Sequence, residues 1–381
     1  MEGFPVIVKT LFGLESVLAQ EMEALGLQNV KILNRAVRFE GTMDDIYLSN
    51  LSLRTALNIL VPIDEFEAFD EQELYYNIKM IPWFDYLEVD QTFSISATTS
   101  SDTFKHSKYV SLKSKDAIVD KFRDKFDQRP SVDTQNPDIE INIHIYNNKV
   151  TVSLDSTGPS LDRRGYRLSK NEAPINEVLA AGILLTSEVK NHSVIYDPMC
   201  GSGTFSIEAA MIVTNTAPGL NRSFSFQNWS NYEPEVFEAI KNGLIEKQTA
   251  PTAKILARDT DRKALDITAE NAERANMDEF ISLKQEDFFE SVPVDSAGII
   301  ILNPPYGERL NPQKIEEFYK SIGDVLKQKY LGHEMWIISS NFNGLRALGL
   351  KPTSKKVLFN GSLECKLQKY EMYEGSRRAF N

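Results

Sequence analysis

Cysteine and histidine are almost missing from this chain, which holds two of the first and four of the second among its 381 residues. Cys200 and Cys365 stand far apart, so no disulfide framework is available, and the scattered histidines leave no zinc cluster. The expected protein is reduced and metal-free. Long hydrophobic runs are missing too, since nothing approaches the ~18 consecutive apolar residues that cross a bilayer. The opening MEGFPVIVKT has an acidic second residue and no extended apolar core, so it does not read as an export signal. Residence in the cytoplasm is the expectation. A surplus of positive charge is also missing. The formal net charge of −12 argues against a protein that coats nucleic acid indiscriminately.

What is present is ordinary globular material, 42% apolar and 25% charged, in a length that suggests two or three domains. Local charge departs from the total. Residues 101–125 carry seven Lys/Arg against four Asp, and SLDRRGYRLSK at 160–170 carries four against one. Lys105, Lys108, Arg163, Arg164 and Arg167 are therefore candidate phosphate contacts, which position RNA without reading its sequence. Solvated helix faces are the plain alternative for the first stretch. The arginines of the second cluster around an aromatic and a glycine.

The first ~55 residues read as strand, helix, strand, helix. Leu14, Val17, Leu18, Met22 and Leu25 recur at helical spacing, and Gly26 stands where a C-cap glycine would. TFSISAT at 92–98 and IEINIHIYNNKVTVSL at 139–154 alternate as half-buried strands do, with YNNK as a hairpin turn and a helix at ~111–126 between the two stretches. This first part is expected to be α+β with antiparallel pairing.

After STGPSLDRRGYR the texture changes. SVIY, AKILA, FISL, AGIIIL and MWIISS are short apolar runs that alternate with helical segments, the pattern of a doubly wound, mostly parallel sheet. Two extended runs, SKKVLFN and CKLQKYEMY, close the chain as an antiparallel edge. In such sheets ligands collect where the central strands end. The first strand ends in DPMCGSGT, from Asp197 to Thr204, and leads into a helix. Gly201 and Gly203, with Ser202 between them, permit a tight turn that a ligand can approach closely. Neither GxGxxG nor a phosphate loop is present, and Asp197 disfavours phosphate. A ligand carrying positive charge and a ribose fits better. The second strand ends in ARDTD, placing Asp259, beside Thr260, where a carboxylate can take both ribose hydroxyls; Asp261 is positioned as a helix cap. After the third strand, QEDFF offers Asp287 to an adenine amino group and Phe288 to its ring.

The fourth apolar run stops abruptly at ILNPPYGERL. Prolines cannot continue a sheet ladder, and they rigidify the backbone around them. In this order, Gly-rich turn, two acids, then NPPY, the sequence resembles class I S-adenosylmethionine-dependent methyltransferases. The resemblance implies a Rossmann-like fold with S-adenosylmethionine held by Asp197, Gly201, Ser202, Gly203, Thr204, Asp259, Thr260, Asp287, Phe288 and Asn303. It implies that NPPY methylates an exocyclic amino group. Such an amine is a poor nucleophile because its lone pair is delocalised. The Asn303 side-chain oxygen and Pro304 carbonyl can grip its hydrogens and aim the lone pair, while Tyr306 stacks on the base. Orientation then supplies much of the acceleration without a strong general base. Cys200 reads as a packed core residue, and Glu308 and Arg309 as a surface pair or RNA contacts.

RPSVDTQNPDIEINIHI, LDSTGPSLDRRGYR and APINEVLAAGIL, together with GLE and NPPYGERL, resemble THUMP-containing RNA methyltransferases of the bacterial 23S rRNA guanine-N2 type over essentially the whole chain. That implies a ferredoxin-like subdomain at 1–55 and a THUMP RNA-binding domain at 56–158. A linker and Rossmann-like methyltransferase domain would occupy 159–381. DSTG and DRRGYR depart slightly from the family pattern but keep its charge. With no second methyltransferase domain before Asn381, no second activity is expected. The alternatives kept open are tRNA guanine-N2 methylation, methylation of an adenine or cytosine amine, and a non-catalytic RNA-binding or assembly factor that retains the fold.

Overall fold

A computed structural model describes residues 3–167, 174–293, 297–304 and 312–373. The chain divides into two compact units. One gathers Met1–Thr10, Ala19–Leu161 and Arg222–Asn242, the other Leu11–Leu18, Asp162–Asn221 and Gly243–Asn381.

In the first unit, strands β1 (Phe4–Thr10), β2 (Gln28–Leu33), β3 (Ala36–Gly41), β4 (Ala56–Glu67), β5 (Thr92–Ser100), β6 (Ser131–Val132), β7 (Ile139–Tyr146) and β8 (Lys149–Asp155) form one sheet. Its order is β2-β3-β1-β4-β8-β7-β5-β6. The helices are α1 (Glu15–Ala24, shared with the second unit), α2 (Met43–Ser52), α3 (Glu71–Met80) and α4 (Ser107–Phe126). Two expectations need correction. The region between α1 and α2 holds two strands rather than one, because Arg35 adopts φ +55° and folds QNVKIL back onto AVRFEG as a hairpin. The pairing is not wholly antiparallel either, since β5 runs parallel to β7 and to β6. Parallel neighbours need a crossover, which α4 supplies. Its buried Val110, Ser114, Ala117, Ile118 and Phe122 recur at helical spacing, and Lys121 donates to the Met80 and Ile81 carbonyls. The expected β7–β8 hairpin turns at Asn147, whose φ is +53°. Because β4 lies between β1 and β8, the two N-terminal regions share one continuous sheet.

Residues Arg222–Asn242, reached only after three elements of the second unit, complete the first. Phe226 and Phe237 pack on Tyr47 at 4.8 and 5.8 Å between ring centroids, and the Glu233 amide donates to the Tyr47 hydroxyl at 3.0 Å. Arg222 donates to the carbonyls of Thr157, Pro159 and Ser160. Replacing Tyr47, fully buried, by Phe strands the Glu233 amide and is expected to lower stability by about 1 kcal/mol in urea unfolding. An unchanged midpoint would remove this segment from the unit's stabilising contacts.

The second unit holds strands β9 (Val194–Asp197), β10 (Lys254–Asp259), β11 (Ile281–Gln285), β12 (Ile299–Leu302), β13 (Glu334–Ser339), β14 (Ser354–Asn360) and β15 (Leu363–Glu371). They lie in the order β11-β10-β9-β12-β13-β15-β14. The first five are parallel, and β15 runs antiparallel to β13 and β14. The chain winds outward from β9 in both directions, so the switch point lies between β9 and β12. The helices are α5 (Glu177–Thr186), α6 (Thr204–Val213), α7 (Pro234–Glu246, shared with the first unit), α8 (Arg262–Arg274), α9 (Pro312–Lys329) and α10 (Phe342–Ala347). Ile315, Tyr319, Ile322 and Leu326 of α9 are buried against β12 and β13 residues Ile300, Leu302 and Ile337. Among the described residues no helix is long and apolar enough to cross a membrane.

Candidate active site

The parallel register brings the carboxyl ends of the central strands together. Asp197 at the end of β9 stands opposite Ala257, Asp259 at the end of β10 stands opposite Gln285, and Tyr196 stands opposite Ile300 of β12. Four chain turns therefore meet along one edge of the sheet. They are the glycine turn after β9, the acid turn after β10, the QEDFF turn after β11 and Asn303 after β12.

The glycine turn is built from backbone that few residues other than glycine adopt, with φ +55° at Gly201 and +81° at Gly203. The two glycines serve different purposes. A Cβ on Gly201 would meet nothing within 4 Å, so this position opens onto space a ligand can enter. A Cβ on Gly203 would lie 2.5 Å from Thr268 Cγ2, so Gly203 is there to let α8 approach the turn, not a ligand. The turn is tied down on several sides. Asp259 Oδ2 accepts from the Gly201 amide at 2.9 Å, Thr268 Oγ1 donates to the Gly201 carbonyl at 2.7 Å, and Asn271 Nδ2 donates to the Ser202 carbonyl at 3.0 Å.

Asp197 is 2% exposed, and its Oδ2 accepts from the Ser206 hydroxyl at 2.8 Å. Burial pushes its carboxyl up to about 7, against the Ser206 hydrogen bond and with help from the nearby charge of Asp259. Cys200 is likewise buried, which pushes its thiol up and leaves it a packing residue.

Several of the expected ligand-binding groups are already engaged within the protein. A ribose gripped by both Asp259 oxygens would share them, because Oδ1 accepts from the Asp261 amide and Oδ2 from Gly201. Each oxygen retains a second lone pair, and the residue is half-exposed. Thr260 is exposed, and its carbonyl accepts from Gln285 Nε2. Asp261 caps α8 by accepting from the Lys263 amide. Asp287 is half-exposed and accepts from the Phe289 amide. Phe288 does not line a ring site. It is 2% exposed, stacks on Tyr330 at 5.6 Å and belongs to the core beneath α9. Its alternation with the half-exposed Phe289 carries it inward. Thr204 is also buried, and its Oγ1 accepts from Arg167 Nη2 at 2.8 Å, so its side chain faces the protein.

Asn303 follows directly on β12. Its Oδ1 is buried and meets no donor among the described residues. A stranded buried acceptor costs about 1–3 kcal/mol, so the fold holds an amide at this strand end at some expense. Pro304 beside it is buried; Tyr306, Glu308 and Arg309 lie outside the described residues.

The expected phosphate contacts separate into two groups. Lys105, Lys108 and Arg163 are exposed. Arg164 is not: it is 4% exposed and paired with Glu208 of α6 at 3.3 Å, where Tyr166 also donates, at 3.2 Å. Arg167 pairs with Glu177 at 2.8 Å besides its bond to Thr204. Basic character suggests solvent, but buried carboxylates claim two of the three arginines. Glu208, Ser206, Thr268 and Asn271 support the site without being marked by any motif. One legible signal is the lone carboxylate in FSIEAAMIV, which an apolar helix tolerates only with a partner.

Three family models match the chain: an RlmL ferredoxin-like domain at residues 5–60, a THUMP domain at 68–155, and the UPF0020 (RMKL-like) methyltransferase domain at 164–369. The putative RNA methyltransferase slr0064 of Synechocystis is 36% identical over 97% of both chains. A relative from Syntrophotalea carbinolica named ribosomal RNA large subunit methyltransferase K/L is 36% identical over 95% of this chain but 53% of its own, so the chain spans about half its length. The crystal structure of SMU.472, described as a putative methyltransferase complexed with SAH, superposes with a TM-score of 0.88 at 31% identity over 99% of this chain and 100% of that one.

Proposed function

Because this chain belongs to the UPF0020 methyltransferases that carry THUMP and RlmL-type ferredoxin-like domains, we propose that it transfers a methyl group from S-adenosylmethionine to the N2 amine of a guanosine in 23S rRNA. The relative named for large-subunit ribosomal RNA supports that polymer, and a cytoplasmic location goes with it.

The observation that carries the reading is the buried Asn303 Oδ1 at the end of β12, which meets no donor among the described residues and lies next to the strand whose end forms the glycine turn. The residues present fit the cofactor. Gly201 offers open backbone, Asp197 a buried carboxylate that favours a cationic ligand, and Asp259 spare lone pairs for ribose hydroxyls. When bound, S-adenosylmethionine supplies a methyl group activated by its positive sulfur. Asn303 Oδ1 and the Pro304 carbonyl accept the hydrogens of the target amine and aim its lone pair. Tyr306 holds the plane of the base, which must leave its stack to enter. Holding these groups in one geometry converts an encounter into an effectively unimolecular step.

Nucleoside mass spectrometry of 23S rRNA and tRNA from cells lacking the protein tests the assignment. Loss of one N2-methylguanosine from 23S rRNA is expected. Its loss from tRNA, or loss of a methylated adenine or cytosine, would overturn the substrate.

Charge reversal of the three exposed cations, Lys105, Lys108 and Arg163, to Glu is expected to weaken rRNA binding about tenfold or more and flatten its salt dependence, while S-adenosylmethionine affinity stays put. Filter binding at several salt concentrations reads this. A slope equal to wild type would place the RNA elsewhere.

A further inference from the structure

Glycine at both Gly201 and Gly203 leaves the cofactor turn without side chains to hold its own shape. Gly203 is also the N-cap of α6, so no capping side chain fixes where that helix begins. The turn is secured from outside. One side is held by Thr268, Asn271 and Asp259. On the other side stands the segment from Asp162 to Arg167.

This segment grips α6 on one face. Thr204 and Glu208 lie four residues apart, hence one above the other on the helix surface. Arg167 Nη2 donates to Thr204 Oγ1 at 2.8 Å, and Arg164 and Tyr166 both bond Glu208 Oε1. The same Arg167 reaches α5, where Nε pairs with Glu177 at 2.8 Å, while Asp162 accepts from Asn176 Nδ2, the cap residue of α5, at 2.9 Å. Gly165, with φ +93°, gives the bend between the two arginines. A planar guanidinium with donors fixed in a fork is suited to holding two helix starts at a set separation.

We propose that Arg167 is a positioning residue for the methyl-donor site: by tying the first turn of α5 to Thr204, the residue directly after Gly203, it holds the glycine turn in its ligand-ready shape. This rests on the reading of that turn as the S-adenosylmethionine site. A pre-organised turn binds without first losing its freedom, so a loosened one binds more weakly. The proposal replaces the phosphate contact that the basic cluster suggested for this arginine.

The test measures S-adenosylmethionine binding by calorimetry without RNA, on wild type, Arg167→Met, Arg167→Lys, Thr204→Val, Thr204→Ser and the Arg167→Met/Thr204→Val double variant. Arg167→Met and Thr204→Val are each expected to bind about tenfold more weakly. The double variant should be little worse than either, because one shared bond is lost. Thr204→Ser should recover most of the loss in Thr204→Val. Arg167→Lys keeps a charge beside Glu177 but lacks the fork, so it should fold as wild type and still bind weakly. RNA affinity and its salt slope should not change in Arg167→Met. Affinity within twofold of wild type in both Arg167 variants overturns the proposal, as do additive losses in the double variant. So does a lowered salt slope with unchanged cofactor binding, which would return Arg167 to the RNA. Failure of wild type itself to bind S-adenosylmethionine would instead overturn the site.

Discussion

Asn303→Ala is expected to slow methyl transfer by roughly 10²–10³-fold, the range seen when one pre-organised polar partner is removed from a reacting centre. S-adenosylmethionine affinity should fall far less than the rate, since the glycine turn, Asp197 and Asp259 are untouched and Asn303 is only one of the residues assigned to the cofactor. The stability of the unliganded protein should not fall. Removing a buried acceptor that meets no donor among the described residues relieves a penalty of about 1 kcal/mol or more, so the variant should melt at or above the wild-type temperature. Single-turnover methylation with tritiated cofactor, together with thermal melting, checks both halves. A variant that loses stability in parallel with activity would mean that Oδ1 holds the fold together, and the catalytic assignment would fail.

Asp197→Asn should produce a trade of a different kind, and pH exposes it. The folded-state carboxyl titrates near 7, against a reference of 3.8. For an acid whose pKa is raised by folding, the unfolded chain ionises first as pH climbs. Stability from this group is therefore fully present below about pH 4 and is lost between there and about pH 7. Carrying the carboxyl to about 7 costs the folded protein at most ~4 kcal/mol. The amide that replaces the carboxyl has no charge to bury and can still accept from Ser206. The unliganded variant should thus match wild type only below about pH 4 and exceed it by up to ~4 kcal/mol at pH 8 in urea unfolding. The loss appears in binding. Wild-type affinity for the sulfonium cofactor should rise about tenfold from pH 6 to pH 8, as the carboxylate ionises to meet a cation. The variant should bind more weakly at pH 8 and show no such rise. Equal stability gains at pH 5 and pH 8 would show that the carboxyl does not carry a buried charge.

The second unit's sheet is readable because parallel strands buried on both faces write themselves as short apolar runs, from SVIY through MWIISS, separated by helix-length segments. The site is readable for a related reason. The candidate residues come directly after strand ends, so DPMCGSG, ARDTD and ILNPPY mark their places by sequence position alone. The hairpin at Arg35 is not readable, since QNVKIL is mostly exposed and carries no alternation to mark it. The parallel direction of β5 is not readable either, because strand direction depends on where α4 returns the chain.

Sequence alone therefore determined the alternating architecture, the turns at the strand ends and the unusual stop at Asn303, all of them local patterns along the chain. Tertiary structure decided what each charge and ring was for. It sent Phe288 inward onto Tyr330, separated Gly201, which opens onto free space, from Gly203, which admits α8, and turned Arg164 and Arg167 from a basic surface into partners of Glu208 and Glu177. The reason is physical. A strand's end is a property of a few consecutive residues, whereas the partner of a charge is a residue far away in sequence, and only burial shows whether water or a carboxylate has claimed it.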